Sequence, residues 1–128
     1  MSIVDVEGFL DNLKQFYPDL ITPIAACSSL LIRLDDALLL YNLGFGYRVI
    51  EEFVHYLAFV QGIGIMEMTD ALDSQVAQKI LVKLRGSERQ RDLLEQLMRI
   101  LQPYPKSLKI VEDLIQQLNE YGSFQYLR

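Results

Sequence analysis

The sequence predicts an all-α protein, a compact bundle of five to seven helices. Three observations lead there. Apolar residues recur at helical spacing along nearly the whole chain. Glycine and proline fall between these periodic segments, at intervals suited to ordinary helices. Alternating runs of strand length are nearly absent, with one weak candidate at "GIGIMEM".

The elements follow in chain order. A first helix is expected over 5–17, with Phe9, Leu10, Leu13 and Phe16 as its apolar face and Pro18 as its stop. Pro23 suits the first turn of a second helical region, with Thr22 as N-cap. That region extends to about Tyr41, with room for a break near Cys27 to Ser29. Arg33, Asp35 and Asp36 mark its wet side, and Gly44 is its expected stop. A third helix runs from near Tyr47 to near Gln61. Ile50, Phe53, Val54 and Leu57 form one stripe, and Arg48, Glu51, Glu52 and His55 form another. A fourth helix is expected over 70–85, capped by Asp70 or Thr69 and stopped by Gly86. Ser87 caps a fifth, which buries Leu93, Leu94, Leu97, Met98 and Leu101. Pro103 and Pro105 make a rigid connector to a sixth helix over 106–121. That helix has Leu108, Val111, Leu114, Ile115 and Leu118 inside and Gly122 at its end. Tyr104 and Tyr121 are expected at the edge of the core, and the tail "SFQYLR" is apolar enough to dock back.

The 128 residues suit a single domain, 1–128, and a chain of this size buries roughly two-thirds of its unfolded surface. The net charge of −5 argues against direct binding to nucleic acid or an anionic membrane, both of which need a basic field. Lys79, Lys83, Arg85, Arg89 and Arg91 nevertheless form a local basic stretch, which reads first as a solvated helix face. The longest uncharged runs fall short of the roughly 18 residues of a membrane span. The acidic N-terminus lacks a leader pattern. A lone cysteine, Cys27, fits a reducing compartment and a buried position, so the expected location is cytoplasmic.

Catalytic signatures are missing. There is no G-x-x-x-x-G-K-[ST] phosphate loop and no G-x-S-x-G elbow. One His and one Cys cannot assemble a metal site, and Asp35, Asp36, Glu51 and Glu52 read as solvated carboxylates before they read as metal ligands. The isolated chain is therefore not expected to be an enzyme, nor to hold a cofactor by itself.

Four segments in order carry a resemblance: "FGYRVIEEFVHYL", "ALDSQVAQKILVKLRGS", "LLEQLMRIL" and "YPKSLKIVEDLIQQLNEYG". Over residues 44–128 the pattern resembles the C-terminal helical lid of McrB-like AAA+ ATPases and GTPases of prokaryotic restriction and defence systems. The chain departs from that family at Val82, where a proline is common, and in a tail without an aromatic Phe-Trp pair. The resemblance implies an AAA+ lid-like fold that assists a P-loop domain or subunit, with ATP or GTP and Mg present only in that assembly. It also implies that Arg48 matches the sensor 2 arginine, which reaches the nucleotide's terminal phosphates, with Gly44 and Gly46 as the loop setting the helix angle. Apart from the resemblance, Arg48 reads as a solvated residue near Glu52. The other functional readings are a free-standing interaction or dimerisation module, its partner another helical protein or a second copy, and a regulatory bundle with a pocket between helices.

Overall fold

The computed structural model describes residues 5–64 and 66–126. Among them are six α-helices and one two-stranded ribbon, so the protein is all-α. The chain divides into two compact units, Met1–Leu72 and Asp73–Arg128.

In the first unit, helix α1 spans Val6–Phe16. Asp5 caps it by accepting the Gly8 N–H at 3.0 Å. Val6, Leu10 and Leu13 are buried, but Phe16 is 76% exposed. Phe16 was expected on the apolar face, yet it lies about 120° round the helix from Leu10 and so falls on the flank. Tyr17 ends the helix and Pro18–Leu20 makes one 3-10 turn. Helix α2, Ile21–Leu39, grows directly out of that turn. Thr22 is therefore inside the helix rather than its cap. No break occurs at Cys27, because the buried stripe of Ile24, Cys27, Leu31 and Leu34 runs through it unbroken.

The end of α2 corrects another expectation. Asn42 is left-handed, with φ 58°; its N–H donates to the Leu39 carbonyl at 3.1 Å, and the Leu43 N–H donates to the Leu38 carbonyl at 2.9 Å. These two bonds make a Schellman motif, so Asn42 and not Gly44 stops the helix. Asparagine is among the few residues besides glycine that visit this conformation readily, since a short polar side chain can hydrogen-bond to nearby backbone.

Helix α3 spans Tyr47–Ile63 and ends at the left-handed Gly64. Ile50, Phe53, Val54 and Leu57 are fully buried, as their spacing predicts, while Arg48, Glu51 and His55 face outward. Each such apolar side chain contributes about 1.5–3 kcal/mol. Helices α1, α2 and α3 pack pairwise. Phe9 of α1 meets Tyr47 of α3 with ring centroids 4.5 Å apart. Within "GIGIMEM", Ile65 lies outside the described residues, and no strand forms among the others.

Helix α4, Met68–Gln75, starts ahead of Thr69 and Asp70, so neither is its cap. The single helix expected over 70–85 does not form. The chain widens into a π turn at Val76–Ile80 and tightens into a 3-10 turn at Leu81–Lys83. Every residue from Ala71 to Ala77 is buried, so this run has no wet face to hold it to one helical period.

The second unit contains that irregular segment. Strand β1, Arg85–Ser87, pairs antiparallel with β2, Ser123–Gln125, placing Gly86 opposite Phe124. Gly86 thus serves a ribbon instead of a helix end. A Cβ there would lie 3.0 Å from the Phe124 ring and 2.6 Å from Gln90 Oε1. Gln90 Oε1 accepts the Ser87 N–H at 2.8 Å, where a 3-10 turn over Glu88–Gln90 leads into α5, Arg91–Ile100. Helix α6 spans Pro105–Tyr121, with proline in its first turn and left-handed Gly122 after it. Leu93, Leu94 and Leu97 of α5 are buried with Val111, Leu114 and Leu118 of α6. Phe124 is buried as the tail returns through β2, whereas Tyr121, expected at the core edge, is 67% exposed. Leu127 and Arg128 of the tail lie outside the described residues.

Asp73 ties this unit together. Its carboxylate accepts the backbone N–H groups of Lys106 at 2.8 Å and Ser107 at 2.7 Å, and the Ser107 hydroxyl donates to the Asp73 carbonyl at 3.0 Å. A buried anion from a distant segment thereby satisfies the otherwise unpaired amides at the start of α6.

Candidate functional site

The site predicted from sequence is the turn that leads into α3. Between Asn42 and α3 the chain has no regular secondary structure, and Phe45 is buried as its anchor. Gly46 is the N-cap residue, at φ −89° and ψ 177°, and makes no side-chain cap bond. Tyr47 then stacks on Phe9. Arg48, one residue on, leaves the surface with its side chain 93% exposed, and its Nε lies 3.5 Å from Glu52 Oε1. This is a surface ion pair one helical turn long, worth about 0.3–0.5 kcal/mol. The positive end of the helix dipole disfavours a cation in this first turn.

The two glycines differ. A Cβ on Gly44 would meet Leu39 Cδ2 at 2.6 Å and Asp35 Oδ1 at 3.1 Å, so Gly44 is kept bare by close approach to α2. A Cβ on Gly46 would meet nothing within 4 Å. Neither glycine takes a positive φ.

Gly44 leads to a residue the sequence reading placed wrongly. Asp35 was assigned to the wet side of α2 with Arg33 and Asp36. Those two are exposed, but Asp35 is only 4% exposed and its Oδ1 has no hydrogen-bond partner. The signal was its place in the pattern: four residues after Leu31 and three before Leu38, it falls on the buried stripe. Burial pushes the Asp35 carboxyl above its ordinary range, the neighbouring Asp36 adds to this, and the Phe45 backbone N–H works against it. Asp35 and Asp36 also line a cavity of about 330 Å³ together with Asp5 and Glu7.

Other candidates are chemically quiet. Cys27 is fully buried, and burial pushes its thiol up to about 12, which removes the thiolate a nucleophile needs. His55 is exposed on α3. In the basic stretch, Arg91 is engaged by Glu88, with Nη2 3.0 Å from Oε2. Among the described residues no three Asp, Glu, His or Cys side chains are grouped so as to hold a metal ion, and no helix is long and apolar enough to cross a membrane.

No curated protein and no solved structure matches the chain. A protein family does, over residues 6–124, a span that takes in most of both compact units. The chain belongs to this family, described as a domain of unknown function, DUF8727.

Proposed function

We propose that this chain is a non-catalytic helical accessory unit, which docks on a P-loop nucleotidase domain and offers Arg48 to the phosphates of the ATP or GTP held there. The observation that carries the reading is the presentation of Arg48. Its guanidinium stands in solvent at the helix end that disfavours it, on a turn fixed by Phe45 and by the Tyr47–Phe9 contact. An approaching phosphate would relieve that placement, and a permanently charged, fork-shaped group suits it. The likeness of 44–128 to McrB-like lids supplies the class of partner, and the cytoplasm is where such a partner would be met.

The test has two stages. Full-length chain is used to isolate its partner, and nucleotide hydrolysis by the assembly is then compared with and without Arg48→Ala. A partner bearing G-x-x-x-x-G-K-[ST], and a loss of at least tenfold in hydrolysis with the assembly intact, are expected. A partner without that loop, or unchanged hydrolysis, overturns the reading. The chain alone should show no nucleotide binding by calorimetry.

A second reading, an interaction or dimerisation module, is favoured by one observation. Phe59 is 61% exposed, and Ile63, one turn later on the same face of α3, is 47% exposed. If that face joins two copies, sedimentation will show a dimer that Phe59→Glu dissociates.

A further inference from the structure

The link between α2 and α3 has few means of holding its shape. Residues 43–46 form no helix or strand. Two of the four are glycines, and a Cβ on Gly46 would meet nothing within 4 Å. Phe45, between them, is buried and carries a backbone N–H that needs a partner. Among the described residues no backbone carbonyl accepts it. The Asp35 carboxylate of α2 does. The same side chain also stands against Gly44, with Oδ1 3.1 Å from where a Cβ would sit. One carboxyl therefore touches two consecutive residues of the link.

Asp35 is a costly residue for its place. It is buried on the stripe that Leu31, Leu34 and Leu38 fill, and its Oδ1 has no hydrogen-bond partner. A leucine would avoid that cost, but it has no acceptor for the Phe45 amide. The helix that carries Asp35 gains nothing from the carboxyl, whereas the link does. Beyond the link, Gly46 makes no side-chain cap bond, and Arg48 follows two residues later. The first turn of α3 is thus steered by the link, by Tyr47 on Phe9 and by the buried Ile50.

We infer that Asp35 is a positioning residue: by taking the Phe45 N–H and abutting Gly44 it latches the link, and so sets where α3 presents Arg48. The latch is a property of the chain alone. Its effect on nucleotide hydrolysis rests on the accessory-unit reading.

Hydrogen exchange and NMR on the full chain test the latch. Asp35→Ala should speed exchange of the Phe45 amide about tenfold or more, with α6 amides unchanged, and Asp35→Asn, which keeps an acceptor, should restore most of the protection. The wild type gives the same answer without substitution. Its Phe45 amide proton should titrate with the Asp35 carboxyl carbon, and not with those of Asp36, Asp5 or Glu7. Unchanged exchange in Asp35→Ala, or a Phe45 amide that ignores the Asp35 titration, overturns the inference. In the assembly, Asp35→Ala should lower hydrolysis about threefold or more, and have no further effect in an Arg48→Ala background, as expected of a group acting through Arg48. A loss that persists in that background overturns the positioning role. If Arg48→Ala alone leaves hydrolysis unchanged, the accessory-unit reading falls, and the exchange data still decide the latch.

Discussion

Gly44 and Gly46 flank the same aromatic residue, yet substitution should separate them. Gly44→Ala drives a methyl into Leu39 and the Asp35 carboxylate, and a loss of about 1 kcal/mol is expected, because the Leu39 tip can yield part of the space. Gly46→Ser meets open space, supplies the missing cap oxygen for α3 and restricts the unfolded chain, so a gain of about 0.5–1 kcal/mol is expected. Urea denaturation of the two variants checks both signs. Equal losses would mean that the turn needs two glycines, as a hinge would. The sequence supports either behaviour, since two glycines round an aromatic look alike until the residue facing each is known. Asp35 has the same origin. Its charge argued for solvent and its position argued for the core, and only packing showed that position prevailed.

At the scale of elements, amphipathic helices were legible and irregular ones were not. The stripe of α3 and the leucines of α5 and α6 lie where a period of 3.6 residues puts them. The segment from Ala71 to Lys83 escaped because its buried residues are consecutive, which leaves the period undefined. The ribbon escaped because three-residue strands are too short to show alternation. The Asp73 tether joins α6 to a segment more than thirty residues earlier, a separation at which no local signal exists. Asp73→Ala removes a buried charged acceptor from two backbone amides, and a loss of about 2–4 kcal/mol is expected. Asp73→Asn, which keeps one acceptor oxygen, should lose less. Chemical denaturation ranks the pair, and a near-neutral Asp73→Ala would show that water replaces the carboxylate there.

For the whole molecule, Asp35 sets a pH dependence of unusual sign. Its folded carboxyl titrates above the ordinary 3.8, so the folded chain keeps a proton that the unfolded chain releases. The stability this group contributes is therefore full below about pH 4 and declines as pH rises, until Asp35 itself ionises. The groups facing it act as stated: Asp36 strengthens the effect, the Phe45 N–H weakens it, and Asp5 and Glu7 lie round the same cavity. Glu88, held below its ordinary range by Arg91, has the opposite sign, with a contribution lost as pH falls, but it is fully exposed and screened. The comparison is thus between wild type and Asp35→Asn across pH 4–7. The variant should gain on the wild type as pH rises, and parallel curves would show that Asp35 carries no burial penalty.

The sequence by itself determined the all-α class, the helix ends marked by Pro18, Pro105 and Gly122, and the inner faces of the regular helices. These are set by residue type and spacing within one or two turns. Tertiary structure alone decided that Gly44 is kept bare by Leu39 and Asp35, that Asp73 caps α6, and that Asp35 is buried beside a cavity of carboxylates. Each of those outcomes depends on which distant atoms arrive next to a residue, and a burial or a clash belongs to the pair of surfaces rather than to either segment alone.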